Sequence, residues 1–177
     1  MSERAFMARK KKKISRKEPK SFPQVTIAFA LRGGEILLGM KKRGFGEGKW
    51  NGSGGKAKEG EKIEVVMKRE MEEEFNITPT DFEKVAEITF IEPSIPGEGI
   101  WTAHVFLVRD WQGKVVESEE MKPQWFPIKR IPYKQMWASD ALWLPRVLKG
   151  EKIRAKFTYD NKKKIKKKEI TFVDRFS

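Results

Sequence analysis

Residues 55–77 read GKAKEGEKIEVVMKREMEEEFNI, and the fold reading turns on them. Ile63, Val66, Met67 and Met71 fall at i, i+3, i+4 and i+8, which predicts an amphipathic helix over 63–75. At about 100° per residue, Glu70 and Glu74 lie about 40° apart, with Glu73 about 60° to the other side of Glu70. Three carboxylates on one arc repel unless something positive sits among them. Mg²⁺ suits such a site, because it takes hard oxygen ligands and bridges to phosphates; Mn²⁺ is the alternative. Arg69, four residues before Glu73, is placed to hold it. The competing reading is a solvated acidic helix paired with lysines.

Immediately upstream, Asn51-Gly52-Ser53-Gly54-Gly55 brings bare backbone to the helix entrance, where glycines permit close approach to a ligand and a free carbonyl can complete a metal shell. Further out, 25–31 and 35–41 read as strands joined by an Arg32-Gly33-Gly34 turn, and 44–60 as a glycine-rich loop. Residues 84–91 and 100–109 read as strands around a loop at 93–99, and Gln112-Gly113-Lys114 as a turn into Val115-Val116. Ser139 is placed to cap a helix over 141–149 that contains Pro145. From 153 to 159 apolar residues alternate with basic ones, a strand with one wet face, and Asp160-Asn161 turns into a last strand ending near 172–176. The sum is a mixed α/β domain, a curved sheet with helices packed on it.

The chain has 177 residues, 38% apolar and 36% charged, with no cysteine and His104 as its one histidine. Disulfides, thiol nucleophiles, His triads and multi-His zinc sites are excluded. The longest apolar run is far too short for a membrane span, and no apolar signal region follows the basic N-terminus. The net charge of +13 sits at the ends: residues 1–20 and 149–177 carry +7 each, and the middle carries −1. Residues 1–22 are expected to be a disordered basic tail, and 23–177 the folded domain. The basic ends suggest weak nucleic-acid affinity. A cytoplasmic monomer is expected, with nuclear entry open to a eukaryotic chain.

The spacing Gly55, five residues, Glu61, seven residues, Arg69-Glu70-Met71, one residue, Glu73-Glu74, one residue, Asn76-Ile77 resembles the signature of the Nudix hydrolases. The one departure is Asn76 where the family carries glycine, and asparagine is the residue that best tolerates a left-handed helix end in its place. The resemblance implies an α/β/α sandwich with a curved mixed sheet, and hydrolysis of a nucleoside diphosphate linked to another group. It implies metal ligands at Glu70, Glu73, Glu74 and the Gly54 carbonyl, with Arg69 in support and Glu73 or Glu74 as general base. A further carboxylate from a distant loop falls on Glu120, for which a solvated acidic turn is the alternative.

Residues 37–46, 49–52, 116–118, Glu120-Met121, Trp125-Phe126 and Met136-Trp137 resemble the branch of that family that cleaves oxidised purine nucleoside triphosphates. Carried over, Thr26, Lys41 and Asn51 line the nucleotide site, and Ser53, Gly54, Gly55 and Lys56 lie near the phosphates. Phe45, Phe90, Trp101, Trp137 and Trp143 wall the base pocket; placement in the core is the alternative for these aromatics. That branch has two adjacent acids where this chain has Ser139 and Asp140, so a narrower or shifted base preference is expected. The expected partner is a small-molecule nucleotide. Two alternatives stand beside this reading: a Nudix enzyme acting on dinucleotides, nucleotide sugars or capped RNA, and a nucleotide-binding module that has lost catalysis.

Overall fold

In the computed structural model, which describes residues 22–95 and 99–176, the helix expected over 63–75 is α1, Ile63–Phe75. The expected tail, Phe22 apart, lies outside the described residues. The helix buries Val66, Met67, Met71 and Phe75, the apolar face set by their spacing. It ends at Asn76, whose φ of 59° and ψ of 32° are left-handed, with the Asn76 N–H donating to the Met71 and Glu72 carbonyls. The asparagine therefore occupies the conformation for which the motif's usual residue is glycine.

The sheet is built from β1 (Gln24–Arg32), β2 (Glu35–Lys41), β3 (Trp50–Asn51), β4 (Ile77–Ile91), β5 (Ile100–Gly113), β6 (Met121–Pro127), β7 (Ile153–Tyr159) and β8 (Ile165–Phe172). Its order is β3-β2-β1-β5-β4-β7-β8, with β6 on β2. β1 pairs parallel with β5, and β4 parallel with β7; the other pairs are antiparallel. The β1–β2 pairing is confined to Leu31–Ile36 and Arg32–Glu35 beside the turn. Beyond it the strip 53–57 runs along β1 instead, bridged at Ala28–Ser53 and Val25–Lys56.

Alternation along β1 divides the core between the two faces of the sheet. Ala28 and Ala30 join Met67, Met71, Phe75, Phe106 and Val108 on the α1 side. Phe29 joins Ile88, Val105, Phe157 and Trp143 on the other side, where α2 (Asp140–Leu148) packs. Each fully buried side chain of this size contributes about 1.5–3 kcal/mol. The result is helix, mixed sheet, helix. Among the described residues no helix is long and apolar enough to cross a membrane.

Three local expectations are corrected, and one strand, β6, had no counterpart among them. β4 begins at Ile77 rather than at 84, because Pro79 lies where only β5 pairs with it; pairing to β7 starts at Ala86, so the missing N–H disrupts one ladder at most. β5 runs to Gly113, and Val115-Val116 is not a strand. β6, with Pro123 and Pro127 in seven residues, reads poorly as a strand but pairs along β2 from Glu35–Pro127 to Lys41–Met121. Ser139 makes no side-chain cap on α2; its hydroxyl is engaged elsewhere.

Candidate active site

The strip 53–57 builds the floor. Ala28 N–H donates to the Ser53 carbonyl at 2.7 Å, and Thr26 N–H to the Gly55 carbonyl at 2.9 Å, which leaves the intervening Gly54 carbonyl outside this ladder. A Cβ on Gly54 would collide with the Thr26 carbonyl, one on Gly52 with the Ala28 carbonyl, and one on Gly55 with the Glu70 carboxylate. The glycines thus admit β1 and Glu70 at close range, and the same three residues line the cavity described below.

Glu74 is 2% exposed. Its Oε2 accepts the Gly54 N–H at 2.9 Å, and Lys41 Nζ stands 3.6 Å from its Oε1. Burial pushes its carboxyl up to about 7, against the opposing pull of the Gly54 N–H and Lys41. Glu70, one turn earlier, accepts Arg69 Nη1–H at 2.5 Å. Burial also raises Glu70; Arg69 opposes the rise, while Glu73 and Glu120 add to it.

Arg69 was expected to hold Glu73. It does form that i,i+4 ion pair, but its hydrogen bonds go elsewhere: Nε–H and Nη2–H donate to the two oxygens of Glu61 at 3.1 and 3.2 Å, a forked pair, and the third nitrogen donates to Glu70. Hydrogen bonds to Glu61 raise the guanidinium above its ordinary value. Glu73, with its side chain 60% exposed, stands 3.7 Å from Arg69. Glu120 reaches the same group through Lys41, which lies 3.4 Å from Glu120 and 3.6 Å from Glu74. Burial acts to raise Glu120, but Lys41 and Arg43 outweigh it and hold the carboxyl below its usual range. Among the described residues no three acidic side chains converge on one metal-ready point, because Arg69 and Lys41 divide them.

A cavity of about 980 Å³ opens from this charged end. Thr26, Lys41, Asn51, Gly54, Gly55, Lys56, Glu74 and Glu120 line one part; Phe45, Phe90, Trp101, Trp137 and Asp140 line the other. Phe45 lies face to face with Trp137, centroids 5.1 Å apart and planes at 20°, and edge-on to Trp101 at 6.1 Å. Phe90 stacks on Trp101 at 5.6 Å. At those separations no third ring fits between Phe45 and Trp137. Lys49 Nζ sits 5.2 Å from the centre of the Trp137 ring.

Ser53, Ser139 and Trp143, expected near the ligand, are fully buried and off the cavity wall. Trp143 packs on Phe29 and donates its Nε1–H to Asp140 Oδ1 at 3.1 Å. Asp140 Oδ2 accepts the Trp137 N–H at 3.1 Å. Burial pushes the Asp140 carboxyl up to about 7, against these two donors and Lys49. Ser139 Oγ accepts the Tyr159 hydroxyl at 2.7 Å.

A family model described as "NUDIX domain" matches residues 21–147. The chain belongs to the Nudix family. It is 42% identical over 135 residues to the oxidized purine nucleoside triphosphate hydrolase of Danio rerio, covering 76% of this chain and 85% of that protein. Identity to the protein of the same name from Mus musculus is 39% over 151 residues, covering 85% of this chain and 96% of that one. Among solved structures, the MutT protein of Bacillus halodurans superposes with a TM-score of 0.72 at 25% identity, covering 84% of this chain and 97% of that one.

Several groups of this Nudix site escaped the sequence reading. Glu61 stands at a fixed place in the motif, yet its part as the forked partner of Arg69 needs coordinates. Tyr159 carries a signal in hindsight, since the alternation of β7 turns it inward. Glu92 and Arg43, both on the cavity wall, carry none.

Proposed function

We propose that this Nudix protein hydrolyses oxidised purine nucleoside triphosphates to the monophosphate and pyrophosphate, clearing damaged bases from the nucleotide pool. The observation that carries the reading is one continuous cavity with buried Glu74 at one end and the Phe45, Phe90, Trp101 and Trp137 rings with Asp140 at the other. A purine presents flat faces to such rings and a polar edge to such a carboxyl. The Danio rerio and Mus musculus relatives, whose names state this activity, support it.

Glu70, Glu73, Glu74, Glu120 and the Gly54 carbonyl would hold divalent cations, Mg²⁺ first and Mn²⁺ as the alternative. The donor chemistry fits, being hard oxygens throughout, although Arg69 and Lys41 hold these carboxylates apart and would have to yield them; the raised Glu70 and Glu74 carboxyls are ones whose ionised forms a cation would favour. Bound there, the metal supplies neutralisation of phosphate charge and acidification of a water. Glu73 or Glu74 would take the proton of the attacking water. Lys41, once freed from its carboxylates, would be available to the phosphates, and Arg69 would keep Glu70 in place.

At the other end the Ser139 hydroxyl is spoken for by Tyr159, which leaves Asp140 to read the base. With its carboxyl near 7, Asp140 serves as donor or acceptor at neutral pH. The base preference is accordingly narrow. A pyrophosphate-release screen of normal and oxidised triphosphates with Mg²⁺ tests the proposal. It expects 8-oxo-dGTP or 2-oxo-dATP to lead the other by roughly tenfold in kcat/KM, and both to lead the undamaged nucleotides. Equal rates on the two oxidised bases remove the narrow preference. Turnover confined to dinucleotides, nucleotide sugars or capped RNA removes the proposal itself.

A further inference from the structure

Glu92 follows the end of β4 and is 5% exposed, yet it lines the base end of the cavity together with Phe90, Ser94 and Tyr159. Its Oε1 accepts the Ser94 hydroxyl at 2.6 Å and the Ser94 N–H at 3.2 Å. Those two bonds fill one oxygen. Among the described residues the other, Oε2, has no hydrogen-bond or ion-pair partner. The turn does not need it: the Glu92 N–H donates to the Gly99 carbonyl at 2.6 Å, and the Glu92 carbonyl accepts the Ile95 N–H at 3.2 Å. Tyr159 cannot supply a proton either, because its hydroxyl donates to Ser139. The free oxygen opens onto the cavity, so a donor carried by a ligand can reach it.

We infer that Glu92 is a specificity-determining residue whose free oxygen accepts a hydrogen bond from an exocyclic amine of the bound purine. The inference rests on the reading of the cavity as a purine site. Phe90 lies two residues earlier and so on the same side of the strand, which sets the carboxylate at the rim of the aromatic wall. A ring lying on that wall meets two carboxyl groups at its edge, Asp140 and Glu92. An amine projects beyond the ring and carries two hydrogens, so it reaches the carboxylate at the cavity's end. Both carboxyl groups act on the Tyr159 phenol between them: burial first, then Asp140 and Glu92, raise it above its ordinary value, while the bond to Ser139 opposes.

The substitution Glu92→Gln keeps an oxygen for Ser94 and turns the free oxygen into an NH₂ group, so the loop is preserved and the contact becomes donor against donor. Binding of 8-oxo-dGMP, 8-oxo-dAMP and 8-oxo-dIMP is followed by indole fluorescence without metal. All three share the oxidised ring, and 8-oxo-dIMP has no amine. Wild type is expected to bind an amine-bearing base at least roughly tenfold tighter than 8-oxo-dIMP. Glu92→Gln removes that advantage and leaves 8-oxo-dIMP within about twofold. Loss confined to 8-oxo-dGMP assigns the 2-amine, and loss confined to 8-oxo-dAMP the 6-amine. Equal weakening of all three, no change, or no binding of any by wild type overturns the inference. Should Glu92→Gln fail to fold, Asp140→Asn, which leaves Glu92 in place, is expected to keep the amine advantage, and its loss there would transfer the contact to Asp140 and overturn the inference. Should wild type hydrolyse none of the triphosphates while the amine dependence persists, the proposed function fails alone.

Discussion

At one end of the cavity, Arg69, Glu70 and Glu74 come from a single turn and a half of α1, and the strip 53–55 meets them at close range. At the other end, Phe45, Phe90, Trp101 and the Trp137–Asp140 pair come from four places in the chain and meet only because β4, β5, the loop after β2 and the start of α2 converge. The first end is local in sequence and dense in charge; its carboxylates are divided between Arg69 and Lys41. The second is assembled at long range, and its polar groups are few and sequestered. The contrast teaches that the reaction type of such a chain is carried by one segment, while the choice of base depends on tertiary packing. It predicts that the two ends can be damaged separately.

The largest expected effect is at the charged end. Glu74→Gln keeps an acceptor for the Gly54 N–H but removes a buried carboxylate from beside Lys41. We expect kcat to fall by at least about a hundredfold. Binding of a purine monophosphate should stay within about twofold, since the aromatic wall is untouched. Turnover and fluorescence titration on the same preparation check this. A parallel loss of base binding would break the separation of the two ends.

The next effect belongs to the base end and is read as stability. Asp140 has an ordinary value of 3.8 and about 7 in the fold, where burial dominates. Between those values the folded chain keeps a proton that the unfolded chain has released, so stability falls as pH rises through this window. A shift of this size corresponds to about 4 kcal/mol at most. Tyr133, Tyr159 and Lys49 face the group, but the two phenols are raised from 10.0 and do not titrate in the window. Glu74 contributes the same sign, so the readout is the difference between wild type and Asp140→Asn in urea unfolding at pH 4.5 and 7.5. The asparagine meets Trp137 N–H and Trp143 Nε1–H with one oxygen, which costs about 1–3 kcal/mol at both pH values. The pH slope should flatten. An unchanged slope would show that Asp140 is ionised in the fold.

These two ends also differ in how far they could be read without coordinates. Helix α1 was legible to the residue, since its apolar spacing, its acidic arc and the asparagine at its end are all local. What stayed hidden was which side chain Arg69 grips, because Glu61 lies eight residues away, beyond the reach of helix geometry. At the base end, composition could say that tryptophans and phenylalanines were plentiful, but not which ones face a cavity. Trp143 and Trp137 look alike in sequence; packing against Phe29 puts the first in the core and leaves the second on the wall. Ser139 looked like a helix cap because Ser before a helix usually is one, and Tyr159, 20 residues on, claimed its hydroxyl. β6 was missed because two prolines argue against a strand unless the strand lies at an edge, and that depends on topology.

The smallest effect tests whether the local end is as self-contained as the comparison holds. Asn76 sits at φ 59°, and its side-chain Nδ2–H donates to the Lys114 carbonyl at 3.1 Å across the gap to the end of β5. Asn76→Gly restores the usual residue of the motif. It removes the steric cost of the left-handed conformation and loses one exposed hydrogen bond, so the two nearly cancel and stability should move by less than about 0.5 kcal/mol. Asn76→Ala keeps the cost and loses the bond, and should destabilise by about 1 kcal/mol. Neither change touches Glu70 or Glu74, so kcat should be unaltered in both. If Asn76→Ala instead lowered kcat at unchanged stability, the end of α1 would be coupled to its carboxylates. The charged end would then depend on the 113–116 segment as the base end depends on its scattered walls.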